Sequence, residues 1–105
     1  MDATMKRFND LIDGATLVEI RNECGTGVTR VTVKAVQWDW TDEGLGENPR
    51  VVTQRLGFAT RAAADAVLAE MRRMLDEEDF QLGFAMHSLD KKKFKWANEL
   101  YMPRG

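Results

Sequence analysis

The sequence predicts an α+β domain with a three- or four-stranded antiparallel sheet and helices packed on one face, in the order α-β-β-β-α-β-α. Two observations carry the prediction. Ala64, Val67, Leu68, Met71, Met74 and Leu75 recur at helical spacing, directly after a threonine placed to cap a helix. Upstream, residues 15–59 contain three runs with the alternation and β-branched content of strands.

The first element reads as a short helix over Ala3 to Asp13, because Met5, Phe8, Leu11 and Ile12 form one apolar stripe. Gly14 suits the left-handed conformation in which many helices end. A strand follows over Ala15 to Glu23, with Val18 and Ile20 on one face and Glu19 and Arg21 on the other. Cys24-Gly25-Thr26-Gly27 is a hairpin turn in composition.

The second strand, Val28 to Trp40, contains a break in phase. Val31, Val33 and Ala35 share one parity, whereas Val36, Trp38 and Trp40 share the other. Side chains alternate with period two, so both sets cannot point the same way in a regular strand. Either a bulge near Ala35-Val36 returns the tryptophans to the core, or they lie on the opposite face. Thr41 to Pro49, with two glycines, one proline and the acids Asp42, Glu43 and Glu47, reads as a long loop.

The third strand spans Arg50 to Ala59. Thr60 then caps a helix from Arg61 to about Glu78. Phe80, Leu82, Phe84 and Met86 alternate with Gln81, Gly83, Ala85 and His87 as a fourth strand. Residues 88–105 fit two periods. Ser88 could cap a helix bearing Leu89, Trp96, Ala97, Leu100 and Tyr101, or Phe94-Lys95-Trp96 could alternate in a strand; helix is the preferred reading.

Bulk properties narrow the class. A chain of 105 residues makes one domain, and 44% hydrophobic with 30% charged residues is ordinary for a folded protein. No apolar run approaches the roughly 20 residues that span a bilayer, and the first residues lack the apolar core of a secretion signal. The single cysteine forms no internal disulfide, which fits a reducing compartment; the expected location is cytoplasmic. The net charge of −2 conceals a split. Residues 1–87 hold 15 acids and 10 bases, whereas the basic, aromatic-containing segment 88–105 holds 2 acids and 5 bases.

The candidate chemistry is sparse. His87 and Cys24 are each alone of their kind, with no motif suggesting a catalytic set or zinc site around them. Gly25-Thr26-Gly27 leads into a strand rather than a phosphate-binding helix, and the acids of 39–47 do not match a calcium loop. The expectation is therefore a protein that is not an enzyme and uses no cofactor or metal. An acid–base pair of Asp39 and Asp42 is the weakest of three functional readings.

Two surfaces carry the others. Trp38 and Trp40 beside Asp42 and Glu43 could form an aromatic patch with an acidic border, since tryptophan is enriched in interface hot spots. Asp76, Glu77, Glu78 and Asp79 end a helix where the dipole favours cations, and would suit a basic partner. Arg72 and Arg73, four residues earlier, would offset part of that repulsion. The alternative is a nucleic-acid interface made of Arg30 and Arg55 on the sheet with Lys91, Lys92, Lys93 and Lys95, interleaved with Phe94 and Trp96.

Two resemblances bear on that alternative. Residues 3–78, in the order helix, three strands, helix, resemble the double-stranded-RNA-binding domain, which carries a lysine cluster at the start of its last helix. The matching segment here, Thr60-Arg61-Ala62-Ala63-Ala64, holds one base. Leu56-Gly57-Phe58-Ala59-Thr60, followed by alanines and Leu68, resembles the strand-to-helix junction of the three-stranded arm-binding domain of phage tyrosine recombinases, which implies DNA reading by the sheet. The leading expectation remains a small non-enzymatic protein that binds another protein, with homo-oligomers also open. A phage or mobile-element inhibitor of a host system has this size and charge.

Overall fold

The computed structural model describes residues 2–25, 28–41, 44–89 and 95–105; the side chains of 25, 28, 39–41, 44–48, 88–89 and 95 are outside that description. The chain runs through α1 (Ala3–Ile12), β1 (Ala15–Gly25), β2 (Val28–Thr41), β3 (Gly44–Gly57), α2 (Arg61–Glu77), β4 (Phe80–Leu89) and β5 (Lys95–Pro103). The sheet has five antiparallel strands in the order β3-β2-β1-β5-β4.

Local chemistry places each helix. The Asp2 carboxylate accepts from the Met5 amide at 2.9 Å and starts α1, and Gly14 follows it at φ 72°. The Thr60 hydroxyl accepts from the Ala63 amide at 3.2 Å and starts α2. Two of the four acids at the end of α2 take close cationic partners from different directions. Arg73 pairs with Glu77, and Arg104 reaches Asp76 at 2.6 Å from beyond β5. Arg72 does not take the i+4 partner expected of it and turns instead to the sheet. Asp79 makes the tight turn into β4 at φ 61°, a left-handed conformation that aspartate tolerates better than most residues.

Both helices lie on one face. The core gathers Phe8, Leu11 and Ile12 of α1 and Leu68, Met71 and Leu75 of α2 over Val18, Ile20, Val31, Val33 and Ala35 of the central strands. Gln54 is the one buried polar residue among those described, and its amide donates to the Thr4 carbonyl at 3.1 Å. Gln37 donates to the Leu11 carbonyl at 2.8 Å, so α1 is tied to both β2 and β3.

Three expectations are corrected. The tail 95–103 is a strand, not a helix: Val18 to Cys24 pair with Tyr101 to Lys95, and β5 lies between β1 and β4. Backbone groups on the free edge of β1 need partners, and an eighteen-residue basic tail with apolar residues on both parities supplies them. This makes the sheet five-stranded. The span 41–49 does not remain a loop, because β3 begins at Gly44 and Trp40 pairs with Leu45. No bulge interrupts β2 at Ala35-Val36. Val36, Gln37 and Trp38 pair in sequence with Val51, Arg50 and Pro49, and the irregularity falls later, between Trp38 and Trp40.

The core hierarchy is testable by chemical denaturation. Phe8→Ala should cost roughly 3–5 kcal/mol, since it empties a fully buried position. Thr60→Ala should cost about 1 kcal/mol through the lost cap.

Candidate interaction surface

Residues opposite each other in an antiparallel ladder share a face, so the register maps the side of the sheet that no helix covers. One row across it is Val51, Val36 and Leu17, and Met102, beside Tyr101 on β5, has the same facing just past the end of the β1–β5 ladder. The next row holds Thr53, Lys34, Glu19, Leu100 and Phe84. A third holds Arg55, Thr32, Arg21, Asn98 and Met86, and a fourth brings Arg30 and Glu23 beside Trp96.

The rows divide into two territories. Apolar side chains follow one end of the sheet and the β5-β4 side. Val51 is 60% exposed, Phe84 52%, Met86 43% and Met102 41%, values far from those of a sealed core. Charged side chains fill the remaining quadrant. Glu23 is mostly covered and receives Arg30 at 2.6 Å, with the Arg21 Nε 2.8 Å from its other oxygen but poorly aligned for a hydrogen bond. The Arg21 guanidinium lies 5.5 Å from the Trp96 ring centroid, within cation–π range. Four cations (Arg21, Arg30, Lys34 and Arg55) thus surround two acids, Glu19 and Glu23, in a depression of about 280 Å³. That is below the roughly 300–1,000 Å³ of drug-sized sites, and suits a phosphate or carboxylate group better than a whole small molecule.

The residues predicted from sequence are scattered by this geometry. Trp38 is half-buried, outside the core cluster, on the same parity as Val36 and opposite Pro49. The side chain of Trp40 lies outside the described residues, as do Asp42 and Glu43. Asp76, Glu77, Glu78 and Asp79 are exposed at the far end of α2, on the helical side of the molecule. Arg30 and Arg55 do come together in the charged quadrant, whereas Lys91, Lys92 and Lys93 lie outside the described residues and Lys95 opens β5. The exposed Val51, Phe84, Met86 and Met102 were missed. Their alternation was visible, but nothing in the sequence says which parity a helix covers.

His87 is exposed on β4 and Cys24 is half-buried near Arg61, with Sγ 3.7 Å from its guanidinium. Among the described residues no three His, Cys, Asp or Glu side chains converge as a metal site would require. No described helix is long and apolar enough to cross a membrane.

The polar contact tying α2 to β5 lies on the covered face. Glu99 of β5 receives Arg72 of α2 at 2.9 Å and the Tyr101 hydroxyl at 3.1 Å. Burial, then the neighbouring Glu99 charge, pushes the Tyr101 phenol up to about 12. The hydrogen bond from Arg72 to Glu99 likewise raises the guanidinium above its ordinary value.

The fold is shared more widely than the sequence. The chain is similar to a conserved kinetoplastid-specific protein from Trypanosoma cruzi, with a TM-score of 0.53 and 12% identity over 88% of this chain and 99% of that one. At that identity the likeness concerns the fold alone. No protein-family model matches the chain, and no curated protein matches it.

Tyr101 is the chain's one tyrosine, so the change in ultraviolet absorbance on phenol ionisation reports it with no second tyrosine to separate. In the folded protein it should titrate near 12 rather than near 10. The unfolded chain loses this proton first, so the associated stability should be complete below pH about 10 and disappear as pH rises toward the folded value. Glu99→Gln should lower the folded value.

Proposed function

We propose that this protein is a non-enzymatic binding domain that docks another protein on the uncovered face of its sheet. The observation that carries this reading is the apolar side chains on that face, Val51 and Met102 exposed and Val36 and Leu17 half-buried between them, in a chain with 30% charged residues. Exposed apolar patches bordered by polar residues mark interaction sites, and burying such a patch provides non-directional attraction.

The charged quadrant adds specificity. Its four bases exceed its two acids although the whole chain is net negative, so the fitting partner brings an apolar ridge with carboxylates at one end. Trp38, on the parity of Val36, extends the apolar edge. The acidic end of α2 lies away from this surface and has Arg73 and Arg104 as internal partners.

Val51→Asp combined with Met102→Asp tests the reading. Both positions are exposed, so thermal unfolding should stay near that of the natural protein, surface changes usually costing within about 0.5 kcal/mol. Proteins retained specifically by the natural chain in quantitative affinity capture should be lost by the variant. Equal retention would remove this face from consideration.

A second reading rests on the same quadrant. Arg21, Arg30, Lys34 and Arg55 with Trp96 at their border offer phosphate contacts and a stacking surface, as a nucleic-acid-binding sheet would. Tryptophan fluorescence during titration with a mixed-sequence duplex DNA, at low and moderate salt, separates the two. Each phosphate contacted should steepen the log–log salt dependence by about 0.9. Absence of binding at low salt would leave the protein-docking reading in place.

A further inference from the structure

We infer that the free edge of β4 is a self-association site, where two copies pair antiparallel and join their sheets. The two edges of this sheet are built differently. The β3 edge carries Pro49, Arg50 and Arg55, and Arg7 of α1 donates to the Thr53 carbonyl, so proline, charge and a covering helix all obstruct another strand there. Such devices are how proteins protect sheet edges.

The β4 edge has almost none of them. Phe80–Leu89 contains no Asp, Glu, Lys, Arg or Pro, in a chain where 30% of residues are charged. Every residue from Gln81 to His87 is exposed. Leu82 is 51% exposed on the helical side, and Phe84 and Met86 are exposed on the other, so apolar surface flanks the edge on both faces. One irregularity, between Leu82 and Phe84, marks where regular pairing would stop and leaves Phe84 to Leu89 as the straight stretch.

The occupant that fits is a second copy. In a two-fold antiparallel pair each residue meets its own strand in reverse, so any charge near the axis faces a like charge. A strand of this length without formal charges is compatible with its own copy, whereas a charged partner strand would find no complement on it. An axis at Met86 sets Met86 directly opposite Met86 of the other copy, with Phe84 flanking it on the same face of the strand.

Sedimentation equilibrium and covalent trapping test this together. The natural chain should sediment at twice its monomer mass at micromolar concentration. Met86→Lys should raise the dimer Kd by roughly a hundredfold or more, because it sets two lysines across the axis. Val51→Lys, on the far edge, should leave the dimer intact. In a Cys24→Ser background, Met86→Cys should form an intermolecular disulfide under mild oxidation, since directly opposed antiparallel residues lie about 4.5–5.5 Å apart between Cα atoms. This conservative variant retains its force if Met86→Lys fails to fold. A natural chain that stays monomeric, a dimer indifferent to Met86→Lys, or one broken by Val51→Lys would overturn the inference, the first two without touching the docking reading of the uncovered face.

Discussion

Two helices cannot cover both sides of a five-stranded sheet, and this limit governs the molecule. Strands about 4.8 Å apart make the sheet roughly 19 Å wide, and two helices side by side at about 10 Å cover that width once. Here α1 packs against β1 and β3 and α2 against β2 and β4, where cover reaches Phe80 but leaves Leu82 exposed. The opposite face remains in water. The chain thus has one face whose composition is dictated by packing and another whose composition is free to serve a purpose.

What fills the free face is informative because packing does not require it. A sheet that merely needed solubility would carry threonine, lysine and glutamate there, as the row through Thr53, Lys34 and Glu19 does. Valine, leucine, methionine and tryptophan in the adjoining rows bring no comparable benefit to an isolated monomer. The Arg30–Glu23 pair beside them is partly exposed, so it contributes little to stability, but it holds the guanidinium in a fixed position.

The same feature explains what could and could not be read from the residues. Helix α2 and its Thr60 cap were legible because one face of that helix is polar, so the period stands out. Strand β2 was ambiguous because Val31, Val33 and Ala35 serve the core while Val36 and Trp38 serve the uncovered face; the change of parity signalled an apolar second face, not a bulge. Strand β5 was misread for the same reason. Tyr101 points to the helices and Trp96, Leu100 and Met102 away from them, and apolar residues on both parities imitate a helix. The span 44–49 misled by composition, since glycine and proline are tolerated at a sheet edge as well as in a loop. The charged quadrant was half visible: Arg30 and Arg55 were named, but their convergence with Arg21 and Lys34 depends on the pairing register, which single-sequence patterns leave open.

The position of β5 also has a temporal side. It is the fifth strand in sequence, yet it sits between β1 and β4, and its ladder to β1 joins residues as far apart as Val18 and Tyr101. A ribosome must therefore deliver all five strands before the sheet can close. Until then β1 has one edge satisfied by β2 and the other bare, in a partly built sheet that already carries much of its apolar surface. Completion would come in a single late step as β5 enters the gap, and a nascent chain stalled before that point would present the bare edge of β1 to whatever surrounds it.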